Sequence, residues 1–266
     1  MGISAINSKI SIDLNCDLGE YEDISQGIND AAIMPFISAC NIACGGHAGN
    51  QQVIKQTIGL AIKHHVNIGA HPSYPDRENF GRKVMRLSVN ELKPILVEQI
   101  QLVKRIAEQQ GVVLSHVKPH GALYNQAAID LDLALSLAEV IADMGSHLMF
   151  YGLAHSAMAE AAKQVGVSFV AEGFVDRAYT KSRTLQPRHE PGAVFDEVGV
   201  MLKRVVSMLQ TGQVEAVSGE CIQLDVDTLC LHGDHQGAVE TAKTLYQGLL
   251  SAGFEVSAPL KGSPNA

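Results

Sequence analysis

The chain has 266 residues, enough for one large β/α domain with a full hydrophobic core, and no linker-like or low-complexity stretch divides it. Its 28 acidic residues outnumber its 20 lysines and arginines, and the formal net charge of −8 argues against nucleic acid or an anionic membrane as a partner. Because there is no long apolar run and no charged-then-apolar start, we expect a cytoplasmic protein without a membrane span, with residues 1–266 forming one domain.

Short β-rich runs alternate along the chain with longer segments of helical period, a pattern typical of parallel strands joined by crossover helices. One helix is predicted to begin near Asn90, after a capping box of Ser88 and Glu91, because Pro94 lies too deep for a start at Val89. The predicted strands span residues 9–14, 39–44, 66–70, 112–118, 147–152, 168–173 and 227–231.

About seven such units with unequal loops favour an irregular seven-stranded β/α barrel over a doubly wound sheet. Both architectures place the ligand site at the carboxyl ends of the strands. The residues that follow each predicted strand are therefore the candidates for function.

The first predicted strand runs into several polar residues, namely Asp13, Asn15, Asp17 and Glu20. Carboxylates at a strand end can serve as general bases or metal ligands. The alternative is that Asp13 faces outward and Glu20 begins a solvated loop.

After the second predicted strand, Gly45, Gly46 and His47 precede a helix that Asn50 can cap. Glycines let backbone N–H groups approach an anion at a helix start, although tight turns also use glycine for steric reasons alone. We expect the His47 side chain to point into the same space.

Histidines follow the third and fourth predicted strands. His71 precedes Pro72, and Lys118 and His120 flank Pro119, so these side chains are held stiffly enough for acid–base chemistry or metal binding. A structural, hydrogen-bonded histidine is the alternative for each.

The sixth and seventh strands end in further charged groups, which are Glu172, Asp176, Arg177, His232 and Asp234. The remaining histidines are predicted to be structural or peripheral: His64, His65, His116, His147, His155, His189 and His235.

Basic residues are concentrated in two predicted loops, 72–87 and 175–191, which hold eight of the 20 cations. An excess of positive charge on an acidic protein indicates an anionic substrate, and ordinary solvated loops are the alternative. These cations are Arg77, Arg82, Lys83, Arg86, Arg177, Lys181, Arg183 and Arg188.

Three common catalytic signatures are missing from the sequence. There is no G-x-x-x-x-G-K-[ST] loop, no G-x-S-x-G elbow and no H-E-x-x-H motif. The five cysteines have no C-x-x-C spacing, so we expect reduced thiols and no zinc site built on sulfur.

Six ordered motifs resemble those of the LamB/YcsF family and span almost the whole chain. They are DLNCDLGE (13–20), NIACGGHAG (41–49), GAHPSYPD (69–76), VKPHGALYN (117–125), EGFVDRAY (172–179) and LCLHGD (229–234). The sequence departs from the usual pattern at Asn50, Gln186 and the pair 235–236, and none of these changes removes a candidate catalytic group.

The resemblance implies the A component of a bacterial 5-oxoprolinase, which with partner subunits B and C opens 5-oxo-L-proline to L-glutamate at the expense of ATP. It also implies a barrel similar to that of carbohydrate deacetylases. On this hypothesis the partners phosphorylate the lactam oxygen and this chain directs water onto the activated carbon.

The residue roles follow from that hypothesis. Asp17 or Glu172 would act as the base; His47, His71 and His120 would donate protons or hydrogen bonds; and Lys118, Arg177 and Arg188 would hold carboxylate and phosphate. The remaining predicted binding residues are Asn15, Gly45, Gly46, Asp176, His232 and Asp234.

Two rival interpretations stay open. The first is a metal-dependent hydrolase acting without ATP, with Asp17, His47, His71 and His120 as candidate ligands of a divalent ion. The second is a non-catalytic component that binds 5-oxoproline without converting it.

Overall fold

The computed structural model describes residues 10–233 and 237–259, in which parallel strands alternate with helices. The strands are β1 (Ser11–Leu18), β2 (Ala39–Ala43), β3 (Asn67–His71), β4 (His116–Val117), β5 (Met149–Leu153), β6 (Ser168–Phe174), β7 (Gln213–Glu215), β8 (Cys221–Gln223), β9 (Thr228–His232) and β10 (Glu255–Val256). The helices are α1 (Ile28–Ile33), α2 (Gln51–His64), α3 (Val89–Gln109), α4 (Gly121–Ala127), α5 (Leu131–Met144), α6 (Ala157–Val165), α7 (Val198–Thr211) and α8 (Ala238–Ser251).

Seven of these strands close into a barrel in the order β1-β2-β3-β4-β5-β6-β9. Every neighbouring pair is parallel, and β9 pairs back with β1 from Asp13 opposite Thr228 to Asp17 opposite His232. Helices connect successive strands, as parallel pairing requires. The predicted fold class, an irregular seven-stranded β/α barrel, is confirmed. In the described ranges, no helix has the length and apolar character needed to cross a bilayer.

The two faces of β1 show how the sequence positions the site. Its even-numbered residues, such as Leu14 and Cys16, are fully buried in the hydrophobic core, whereas Asn15 makes contacts across the barrel. Since side chains alternate along a strand, Asp13, Asn15 and Asp17 share the inner face. The barrel interior is therefore polar on this side, where apolar packing is more usual.

Three sequence expectations about element bounds are wrong. β1 continues to Leu18 rather than ending at residue 14, because its polar residues fill the barrel interior. β4 covers only His116–Val117 rather than 112–118. Helix α3 begins at Val89 despite Pro94, with the Ser88 N–H donating to Glu91 Oε2 at 2.8 Å as the capping box predicts.

Pro94 is tolerated because it lies on the exposed face of α3. Water can reach the backbone carbonyl that the missing N–H leaves without its helical partner. The antiparallel hairpin of β7 and β8, and β10, which pairs with the start of β1, were not predicted.

Candidate functional site

The carboxyl ends of the barrel strands surround a cavity of about 480 Å³. Its lining comes from segments far apart in the chain that parallel topology brings to the same end of the barrel. The charged and titratable residues of the lining include Asp17, Glu20, His71, His120, Arg177 and Arg188.

Glu20 lies among three histidines at one side of this cavity. Its Oε1 is 3.0 Å from His47 Nε2, 3.2 Å from His120 Nδ1 and 3.9 Å from His71 Nε2. The two rings of His47 and His120 stack in parallel, with centroids 3.7 Å apart and an angle of 2° between the planes. We call Glu20, His47, His71 and His120 the histidine–glutamate cluster.

A tight loop before α3 holds two of these rings in place. Phe80 and Gly81 have φ angles of 54° and 63°, so the loop passes through the left-handed region. The Phe80 carbonyl accepts a hydrogen bond from His120 Nε2 at 3.0 Å. A Cβ atom on Gly81 would lie 2.9 Å from both His47 and His120, so only glycine fits against the stacked rings.

Burial and pairing set the charges of the cluster. Burial alone would raise the pKa of Glu20, but the imidazoles of His120 and His47 beside its carboxylate outweigh it and hold that pKa well below its ordinary value. Burial lowers the pKa of His47 to about 4, despite the opposing effect of Glu20. At neutral pH the glutamate is therefore ionised and His47 is neutral.

Lys118 sits on the floor of the cavity and is buried. Its Nζ lies 3.0 Å from Asp17 Oδ1, 2.9 Å from Glu172 Oε1, 3.2 Å from Asn15 Oδ1 and 3.0 Å from Cys230 Sγ. Burial alone would lower the pKa of Lys118, but Asp17, Cys230 and Glu172 outweigh it and raise that pKa well above its ordinary value.

The carboxylate of Asp17 is fixed from two sides. Its Oδ2 lies 3.2 Å from His71 Nε2, and its Oδ1 faces Lys118. Burial would raise the pKa of Asp17, yet His71 and Lys118 hold it well below its ordinary value. Asp17 is thus ionised while it lines the cavity.

A chain of hydrogen bonds supports these charged groups from below. Asn41 donates to Asn15 Oδ1 at 2.8 Å and to Asp17 Oδ1 at 2.7 Å, and its own Oδ1 accepts from His116 Nε2 at 2.7 Å. Burial lowers the pKa of His116 to about 3, and its ring stacks on Tyr151. His116 is neutral and supports the site without facing the cavity.

Two arginines face the cavity from its other side. Arg177 is buried and donates to the backbone carbonyls of Ala193 and Gln186, at 3.3 and 2.5 Å. Arg188 is exposed at the mouth. Burial, and then the charge of Arg188, lowers the pKa of Arg177 to about 10. Among the described residues no carboxylate lies within ion-pair distance of either guanidinium, so an anion in the cavity would relieve their repulsion.

Asp176 orients a further cavity residue. Its carboxylate accepts from His232 Nδ1 at 2.7 Å, and the His232 ring stacks near Phe174. Burial would raise the pKa of Asp176, but His232 outweighs it and the pKa is lowered. Asp176 therefore acts on the cavity through His232.

Only some of the eight basic residues predicted to bind an anionic substrate line the cavity. Arg77 pairs with Glu22 and donates to the carbonyls of two glycines, and Lys181 pairs with Glu220 on the surface. Of the eight cations, Arg82, Arg177 and Arg188 line the cavity.

The other predicted site residues lie in three kinds of place. Gly45 and Gly46 are not part of the lining: the Gly45 N–H donates to the Ala48 carbonyl, and Gly46 packs against Ser73 and Gln99. Asn15 and Glu172 are in the barrel interior beneath Asp17. Asp234 lies outside the described residues. His189, predicted to be peripheral, contributes to the mouth.

Glu20 is the residue whose place in the site the sequence leaves open, between a functional carboxylate and a solvated loop acid. The sequence identifies it only as a carboxylate near the end of the first strand. The signal that could have singled it out is its place one residue after Gly19, a glycine that follows the end of β1 and has a φ of 71°, in the left-handed region.

Four residues of the described part of the chain could together hold a metal ion. The ligand atoms of Glu20, His47, His71 and His120 all lie within 4.8 Å of one another. This set differs from the predicted one, because Glu20 takes the place of Asp17. A smaller group of Asp17, Cys230 and His232 also meets this criterion, but the Lys118 ammonium already lies 3.0 Å from both Asp17 Oδ1 and Cys230 Sγ.

The fold and the cavity define a β/α-barrel protein with a cavity lined by charged residues at the carboxyl ends of its strands. The LamB/YcsF family model matches residues 12–263, and the chain belongs to that family.

Known relatives agree with this assignment. A Chloroflexus aurantiacus protein named as the A component of 5-oxoprolinase is 42% identical over 250 residues, which cover 94% of this chain and 99% of that protein. The solved structure of a lactam utilization protein from Thermus thermophilus has a TM-score of 0.87 and 36% identity, and the match covers 94% of this chain and 100% of that one. The catalytic domain of a peptidoglycan N-acetylglucosamine deacetylase from Eubacterium rectale shares the fold alone, with a TM-score of 0.50 and 10% identity over 98% of this chain and 93% of that one.

Proposed function

We propose that this chain is the A component of an ATP-dependent 5-oxoprolinase and that, with subunits B and C, it opens 5-oxo-L-proline to L-glutamate. The names of its relatives point to lactam chemistry. The observation that carries the proposal is a single cavity with the histidine–glutamate cluster on one side and two arginines on the other, neither of which has a carboxylate within ion-pair distance in the described part of the chain. A small anionic amide suits this cavity, because its anionic group can face the two arginines while its amide faces the histidine–glutamate cluster.

Coupling to ATP follows from the chemistry of the substrate. A five-membered lactam is a resonance-stabilised amide, so water attacks its carbonyl carbon slowly. Transfer of the γ-phosphoryl group of ATP to the lactam oxygen by the partner subunits makes that carbon electrophilic. Water then adds to the carbon, the C–N bond breaks with a proton going to nitrogen, and a second water hydrolyses the resulting acyl phosphate to glutamate and phosphate.

Each side of the cavity has a role in these steps. Arg177 and Arg188 bind the α-carboxylate and the phosphoryl group, because guanidinium groups suit both anions. Asp17 accepts the proton of the attacking water. It is better placed than Glu172, which is fully buried beneath Lys118, whereas Asp17 lines the cavity.

His71 and His120 face the reacting amide from the cluster side. From there the two imidazoles are placed to stabilise the developing oxyanion and to pass a proton to the leaving nitrogen. Lys118 keeps Asp17 ionised and positioned, and the cavity position of His232 lets it contact the phosphoryl group.

An omission assay tests the proposal. The purified chain is mixed with subunits B and C, ATP and 5-oxoproline, and glutamate is measured while each component is left out in turn. We expect glutamate only in the complete mixture. Glutamate formed without this chain would contradict its catalytic role, and glutamate formed by this chain without ATP would instead favour a metal-dependent hydrolase.

A further inference from the structure

In His71 and His120, the ring nitrogen that points away from the cluster, here called the outer nitrogen, contacts a backbone carbonyl, and this contact determines which nitrogen carries the hydrogen. His71 Nδ1 lies 2.7 Å from the Lys118 carbonyl oxygen, and His120 Nε2 lies 3.0 Å from the Phe80 carbonyl oxygen. A carbonyl oxygen only accepts hydrogen bonds, so both outer nitrogens carry hydrogen. In the neutral rings, the inner nitrogens, His71 Nε2 and His120 Nδ1, then carry lone pairs.

These inner nitrogens face each other and two carboxylates. They are 3.0 Å apart, His71 Nε2 is 3.2 Å from Asp17 Oδ2, and His120 Nδ1 is 3.2 Å from Glu20 Oε1. While both rings are neutral, these two nitrogens and two carboxylate oxygens are therefore all acceptors. Only a second proton on one of the rings would provide a donor among them. Acceptors this close repel one another, and a cation among them removes the repulsion.

The spacing of the four ligand atoms matches a tetrahedral metal ion. Zn²⁺ binds imidazole nitrogen and carboxylate oxygen at about 2.0–2.1 Å, which puts neighbouring ligand atoms of a tetrahedron about 3.3 Å apart. The corresponding distances here are 3.0, 3.0, 3.2 and 3.9 Å. A shift of a few tenths of an ångström would bring Glu20 and the three rings around one ion.

The surroundings of the cluster are also those of a metal site. Metal-binding histidines commonly donate their outer N–H to a backbone carbonyl, as His71 and His120 do. His47 is held differently: its Nδ1 is buried without a partner among the described residues, and its ring is fixed by stacking on His120. Nitrogen ligands with one carboxylate suit Zn²⁺ and neighbouring divalent transition metals better than Ca²⁺ or Mg²⁺.

We propose that Glu20, His47, His71 and His120 bind one divalent transition-metal ion at the wall of the cavity. Glu20, His71 and His120 line the cavity and His47 is fully buried behind them, so the ion is reachable from one side. When bound there, such an ion supplies Lewis-acid polarisation of a carbonyl or phosphoryl oxygen. This metal site goes beyond the proposed function, and its existence does not depend on whether the chain takes part in opening 5-oxoproline.

Equilibrium dialysis tests the site on the whole chain. The protein is stripped with a chelator, dialysed against Zn²⁺ and analysed for metal by elemental mass spectrometry, in the absence of substrate and partner subunits. We expect about one equivalent of bound Zn²⁺. A stripped protein that binds none overturns the proposal, and because no turnover is measured, that result leaves the proposed ring opening untouched.

Variants locate the bound ion. Glu20→Gln keeps the shape of the side chain and His71→Asn removes a ring; each is expected to weaken Zn²⁺ binding at least about 100-fold. His64→Gln is the control, since His64 ends α2 away from the cavity. Binding that is equally strong in all three variants would place the ion elsewhere and overturn the assignment.

Substitution with Co²⁺ tests the ligand set on the wild-type chain, so the result does not depend on whether the variants fold. Tetrahedral Co²⁺ with nitrogen ligands gives strong visible absorption, and the wild-type chain is expected to show it. The weak spectrum of an octahedral ion bound by oxygen and water would contradict the proposed ligand set.

Discussion

Replacement of Lys118 by Met is expected to destabilise the barrel strongly. The ammonium group is buried and lies within 3.0 Å of both Asp17 and Glu172, so its removal leaves two carboxylates facing each other in the interior. Breaking a buried pair by removing one partner costs about 3–5 kcal/mol, a large part of the stability of a typical domain. Met fills much of the volume, so the loss reports on charge more than on packing.

The pH dependence of that loss separates the electrostatic cause from a cavity effect. Without Lys118, the folded-state pKa of at least one carboxyl rises above its unfolded value. Its protonation then restores stability at low pH, and stability falls as pH rises through the raised pKa. The destabilisation of Lys118→Met is therefore expected to be larger at about pH 8 than at about pH 5.

Urea denaturation of a double-mutant cycle provides the measurement. Lys118→Met, Glu172→Gln and the double variant are compared with wild type, and the double variant is expected to be less damaged than the two single losses added together, by about 2 kcal/mol. A loss below about 1 kcal/mol for Lys118→Met, or an equal loss at both pH values, would refute the buried charge network.

Three further outcomes are expected. Arg188→Ala in the assembled enzyme raises KM for 5-oxoproline about 10–100-fold, whereas Lys181→Ala, a surface cation of the same loop, leaves it unchanged; equal KM values in steady-state kinetics would remove Arg188 from the binding site. Burial raises the pKa of Asp30 to about 6, above its unfolded value, so the wild type loses stability as pH rises from about 4 to 6. Asp30→Asn avoids this loss and is expected to be up to about 3 kcal/mol more stable at pH 8 but no more stable near pH 4, and urea unfolding that gives the same difference at both pH values would contradict the burial effect. Cys221 is the one exposed cysteine of the five, all of which the structure describes, so a thiol reagent should label one thiol in the native protein and five after denaturation; rapid labelling of a second native thiol would show that the barrel is more open than described.

The sequence predicts the barrel well because the β/α alternation is periodic and local. All seven barrel strands lie where runs of strand-forming residues occur, but their ends are less well defined. The polar residues Asn15 and Asp17 hide the second half of β1, because a strand that puts polar side chains inside a barrel looks like a loop. The length of β4 is overestimated because Val113 belongs to an apolar run yet is exposed.

The site is only partly visible in the sequence, and Glu20 shows why. Its side chain is buried by histidines that are 27, 51 and 100 residues away, so nothing in its local surroundings distinguishes it from a solvated loop acid. Arg77 shows the opposite error: the sequence groups it with the anion-binding cations, but it pairs with Glu22 and supports the loop after β2. Pairing of charges depends on tertiary contacts that a single sequence does not display.

The most direct test of the proposed active site is ATP-dependent glutamate formation by the full complex carrying His120→Ala. The variant retains the barrel and the arginines but lacks a ring that contacts Glu20 and His71 beside the cavity. We expect its rate to fall by a factor on the order of 100, with the complex still assembled. An unchanged rate would mean that 5-oxoproline is opened somewhere other than at this rim of the barrel.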